Sequence, residues 1–96
     1  MATDIHQIAR ELAMSEEQVA REALRALVRA KIHAYDAERR ARCAKFGVAS
    51  LQEMDALIRV GAIAEDEILD DFQNVDYLTT RVARLQQLLP QLGQMK

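Results

Sequence analysis

From Ser15 to Phe46 the chain holds neither Gly nor Pro, and its apolar residues fall into two separate lines at helical spacing. One line is Ala20, Ala23, Leu27, Ala30, Ala34, Ala37, Ala41 and Ala44, stepping by 3 and 4 without a slip. The other is Leu24, Val28, Ile32, Tyr35 and later Phe46, roughly 140° away at ~100° per residue. One antiparallel helix cannot cover both lines. Small side chains let a neighbouring backbone come close, so the Ala line is the predicted seat of a helix with large residues. The second line then needs other cover. Flanking short helices would supply it near the two ends. A helix of about 30 residues is roughly 45 Å long, whereas a compact chain of this length is only about 30 Å across. The surplus predicts a homodimer, with Leu24, Leu27, Val28, Ile32 and Tyr35 at the contact.

The helix boundaries are written in local signals. Thr3 or Asp4 can cap a first helix whose apolar positions are Ile5, Ile8, Ala9 and Leu12. Ser15 and Gln18 form a capping box, with Met14 and Val19 as its staple, and Gly47 is placed to end the long helix in the left-handed conformation. Ser50 and Glu53 repeat the box for a short third helix that stops at Gly61. Glu65, Asp66 and Glu67 suit the start of a fourth helix, whose apolar line is Ile68, Phe72, Val75, Leu78, Val82, Leu85, Leu89 and Leu92. Pro90 is expected to end or kink it near Leu89. The expected fold is all-α, a short, a long, a short and a long helix making an antiparallel helical hairpin within one domain, 1–96. That domain divides into an N-terminal helix pair (4–46), a connecting helix (47–61) and an acidic C-terminal helix (65–92).

Charge is segregated along the chain. Residues 21–45 carry eight basic and three acidic side chains, and residues 46–96 carry four basic and eight acidic. Folding the fourth helix onto the second brings opposite signs together, and the run Arg39, Arg40, Arg42, Lys45 also suits a helix C-terminus. A single Cys excludes an internal disulfide framework and a multi-Cys zinc site. Cys43 is expected as a small buried apolar residue. His6, His33 and Cys43 do not share ligand spacing, and His33 with Asp36 reads as a solvated pair. The carboxylates from Glu65 to Asp71 lack the oxygen spacing of a calcium loop. No phosphate-binding glycine loop or nucleophile motif is present, so no catalytic residue, metal or cofactor is assigned. No apolar run approaches a membrane span, and a cytoplasmic location is expected.

Two resemblances bear on function. Ile8-Ala9-Arg10-Glu11-Leu12-Ala13-Met14-Ser15-Glu16-Glu17-Gln18-Val19-Ala20-Arg21 resembles the helix-turn-helix of bacterial repressors. Ala13 stands where that pattern has its turn Gly, and Glu16 and Glu17 head the second helix. Met14 to Leu27 is similar to the second-helix segment of ribbon-helix-helix antitoxins, with Val19, Ala23, Leu24 and Leu27 on the matching apolar positions; only Met1 to Gln7 precede the first helix, without the alternation of that family's DNA-reading strand. The remainder, notably Phe46 to Asp55 and Asp71 to Leu78, resembles the helical tails of small antitoxin-like proteins from bacterial and archaeal toxin–antitoxin modules. The resemblance implies a non-enzymatic, homodimeric interaction protein that neutralises a small toxin; the segregated charge beside aromatic residues points to Asp70, Asp71, Phe72, Asp76 and Tyr77 as the surface that covers a basic site on that partner. Two alternatives stay open. One is a DNA-binding autoregulator using Arg21, Arg25 and Arg29 as phosphate contacts, although the net charge of −2 and the lack of an aromatic platform argue for a protein partner. The other is a purely structural helical dimer.

Overall fold

A computed structural model describes residues 4–93. Four helices account for the regular structure, α1 (Ile5–Glu11), α2 (Glu16–Ala44), α3 (Leu51–Arg59) and α4 (Glu65–Gly93), and no strand occurs among the described residues. Asp4 caps α1, its carboxylate accepting from the Gln7 amide at 3.0 Å; Thr3, the other candidate, lies outside the described residues. The box at α2 forms in full, with the Ser15 hydroxyl accepting from the Gln18 amide at 3.0 Å and the Gln18 side chain accepting from the Ser15 amide at 2.8 Å. At α3, Ser50 caps the Glu53 amide at 3.2 Å, but the Glu53 carboxylate reaches one residue further back, to the Ala49 amide at 2.6 Å.

The first three helices end in the same way. A residue in the left-handed region follows the last turn at Ala13 (φ 54°), Gly47 (φ 70°) and Gly61 (φ 72°). The next amide then bonds back to the helix, from Met14 to Ala9 at 2.9 Å, Val48 to Cys43 at 3.2 Å and Ala62 to Leu57 at 3.0 Å. This paired closure satisfies carbonyls that would otherwise be orphaned. Gly meets the positive φ without a Cβ clash, whereas Ala13 adopts it against a steric cost.

The core lies at the end of the molecule where α2, α3 and α4 meet. Cys43, Met54, Ile68 and Val75 are fully buried there, with Phe46, Val48, Leu51, Leu57, Ile58, Ile63 and Phe72 packed around them. Asp71 is the only charged residue buried with them among the described residues. Arg42 donates to its carboxylate at 2.9 Å and Lys45 at 3.0 Å. Further along, Asp36 and Arg39 of α2 share a cleft with Thr79, Val82 and Gln86 of α4, so the numbering rises on one helix as it falls on the other.

These contacts overturn the expected docking line. Arg25, Val28, Ile32, Tyr35, Arg39 and Arg42 form the half-buried stripe in register with those α4 contacts, while Ala23, Leu27, Ala30, Ala34, Ala37, Ala41 and Ala44 are exposed on the other side of α2. Larger side chains withdraw more apolar area from water than Ala does, and this stripe also carries Arg42 to the Asp71 carboxylate. A second correction concerns Pro90. Instead of ending α4 near Leu89, it sits inside a helix that continues to Gly93. Proline here removes only the one bond to Gln86, close to an end where helix carbonyls lack partners anyway. Asn74 does not interrupt α4 either; its side-chain amide donates to the Asp70 carbonyl at 2.8 Å, one turn back.

Two measurements follow. Ala13→Gly relieves the strained turn and is expected to raise unfolding stability by about 0.5–1 kcal/mol in urea denaturation, the relief exceeding the extra chain entropy of Gly. Burial pushes the Asp71 carboxyl up, but hydrogen bonds from Lys45 and Arg42 and their charges outweigh it and hold it below its ordinary value. Its contribution is therefore present above the unfolded value of about 4 and is lost as pH falls through the lowered folded value. Asp71→Asn is expected to cost about 1–3 kcal/mol at neutral pH, because Arg42 is left poorly paired, and to flatten the acid limb of the stability profile.

Candidate functional site

Adjacent residues of a helix point about 100° apart, and this separates the acidic residues of α4 into two populations. Asp71 points inward to Arg42 and Lys45, and Phe72 packs on the core, so neither belongs to the outward, partner-binding face on which the sequence placed them. Asp70, Asp76 and Tyr77 do point outward. The Asp70 side chain is 91% exposed, with Arg42 only loosely near it at 3.9 Å, and Tyr77 is 58% exposed. Leu69, absent from the expected set, joins them as an exposed large apolar residue. The outward strip is therefore Leu69, Asp70, Asp76 and Tyr77, a mixed acidic and apolar surface. Its signal in the sequence was the helical phase of α4, which Asp71 fixes by pointing inward.

The five residues expected at a dimer contact also separate. Val28, Ile32 and Tyr35 are half-buried on the stripe that meets α4, whereas Leu24 and Leu27 are 40% and 55% exposed. The phosphate-contact alternative fares similarly. Arg21 and Arg25 lie half-buried with their Nε atoms withdrawn from water and unpaired, and Arg29 alone of the three is exposed.

A cleft of about 270 Å³ opens between α2, the start of α3 and α4, lined by Asp36, Arg39, Ser50, Leu51, Thr79 and Val82. The polar groups of Asp36, Arg39, Ser50 and Thr79 are already engaged. Arg39 donates to Asp36 at 2.9 Å and to the Ala49 carbonyl at 3.2 Å, Ser50 caps α3, and the Thr79 hydroxyl donates to the Val75 carbonyl at 2.7 Å. Arg40 takes the other Asp36 oxygen at 2.7 Å, so the expected pairing of Asp36 with His33 gives way to two arginines. Among the described residues no carboxylate or imidazole is hydrogen-bonded to either hydroxyl, as a general-base mechanism requires. Burial pushes the Cys43 thiol up; nearby Arg39 works against this and Glu53 with it, leaving a protonated thiol inside the core. Among the described residues there is no cluster of three or more metal-ligating side chains and no helix long and apolar enough to cross a membrane.

What the geometry offers is surface: an acidic and apolar strip on α4, and an uncovered face on α2. No curated protein and no solved structure matches the chain. A family model described as the Uncharacterized protein MJ0235 family matches residues 1–96, and the chain belongs to that family.

Proposed function

We propose that the protein is a non-enzymatic interaction module, an antiparallel helical hairpin that works as a homodimer and presents α4 to a second protein in the manner of an antitoxin. The observation that carries this reading is the outward strip of α4. There Asp70 and Asp76 stand beside Leu69 and Tyr77 with their carboxylates free of close ion pairs, while Asp71 and Phe72 of the same helix hold it in place from the other side. Exposed carboxylates around an aromatic anchor suit a partner with a basic, nucleic-acid-binding surface. They compete with phosphate for its cations, and Tyr77 supplies apolar area at low entropic cost. Neutralisation then works by occlusion and needs no chemistry from this chain.

A second reading, DNA binding through the junction of α1 and α2, draws on one observation. Ala13 takes the left-handed conformation at the place where the helix-turn-helix pattern has Gly. Arg29 is the exposed one of its three arginines, Arg21 and Arg25 being half-buried, and Glu16 and Glu17 at the head of α2 repel phosphate, so a protein partner is preferred.

Affinity capture from the native cell, with mass spectrometry to identify the captured protein, supplies the partner for titration. Combined reversal of Asp70→Lys and Asp76→Lys is expected to weaken that complex at least about tenfold at low salt and to remove most of its salt dependence. Unchanged affinity and an unchanged salt slope would dismiss the α4 strip as the binding surface.

A further inference from the structure

The molecule extends over 60 × 31 × 16 Å with a radius of gyration of 19.3 Å, against about 12.5 Å for a compact chain of this length. Its accessible surface is 6959 Å², whereas a folded monomer of 10.9 kDa is expected to expose about 5,600 Å², an excess of about 1,400 Å². A standard interface withdraws about 800 Å² from each partner and an obligate dimer withdraws more, so the excess is of the size one such interface removes. It is unevenly placed. The core end is wrapped by three helices, but on the side of α2 away from α4 a stripe from Ala23 through Leu27, Ala30, Ala34 and Ala37 to Ala41 lies open, with Leu24 at its edge.

We infer that this face of α2 is the seat of a second copy of the same chain, packed antiparallel about a two-fold axis near the Ala34–Ala37 turn. The inference rests on the reading of the protein as a dimer and names a surface different from the line expected from sequence. Small residues every 3 and 4 positions let two α2 helices approach closely, and a two-fold axis makes one such stripe its own complement. The charged margin agrees. Lys31 and Glu38 stand one heptad apart on the same edge, so with Ala34 of one copy against Ala37 of the other, each Lys31 comes near the other copy's Glu38, whose contact within its own chain is a long one to Arg42 at 3.5 Å, in two equivalent pairs. On the opposite edge Arg40 is already neutralised by Asp36 at 2.7 Å. The α4 strip remains outside the contact, free for a different protein.

Sedimentation velocity over a wide concentration range tests this. The wild-type chain is expected at twice its 10.9 kDa mass. The double variant A34E/A37E, which changes only exposed helical positions, is expected to run as a monomer with unchanged helical circular dichroism. K31E and E38K are each expected to weaken dimerisation about threefold to tenfold, and the double exchange K31E/E38K to restore it. A monomeric wild type at all concentrations, or a dimer that persists in A34E/A37E, overturns the inference. So does failure of the exchange to rescue. Partner binding by the A34E/A37E monomer, and dimerisation by the Asp70 and Asp76 reversals, separate a failure of this contact from a failure of the α4 reading.

Discussion

A carboxylate without water must find cations, and in this molecule that demand sets how the two long helices lie. Asp71 is satisfied only when the first third of α4 rests against the last turns of α2, where Arg42 and Lys45 reach it from two sides. With that point fixed, the heptad-like lines of both helices are phased from it. Phe72 turns to the core, Asp70 to solvent, and Val28, Ile32 and Tyr35 to the interior stripe. A buried ion pair of this kind adds little net stability over an apolar contact of equal volume, and its value here lies in choosing one register over neighbouring ones.

The local grammar of the fold was legible in the residues. Ser15 with Gln18, Ser50 before Glu53, and Gly47 and Gly61 act on backbone groups a few positions away, so their effect does not depend on how distant parts pack. The charge segregation was legible too, and its realised form is the contact of Arg42 and Lys45 with Asp71. What local pattern could not decide was which of two equally periodic lines on α2 would face α4. Both satisfy the helical period, and the choice is made by total buried area and by Asp71, neither of which a window of one helix contains. The same limit explains the α4 residues. Asp70 and Asp71 look alike in a list of acids, and only the phase of the helix sends one to solvent and the other inside.

Pro90 illustrates a different limit. A proline in a helical run reads as a break, because the residue before it disfavours the helical conformation. Near a helix end the penalty falls on a bond of lesser consequence, and neighbouring Leu88, Leu89 and Leu92 are all half-buried. Tertiary contacts override a propensity of this size.

The junction at Ala13 has a consequence for how the molecule comes apart. Of the three left-handed closures it is the one made by a residue with a side chain, and the seven-residue helix before it buries only Ala9. Residues Ile5–Glu11 therefore form a short leaf resting on α2, apart from the core around Met54. Their amides trade hydrogen for deuterium through a local peeling that leaves the rest of the fold intact, and a protease meeting the native protein finds a cleavable junction at Ala13.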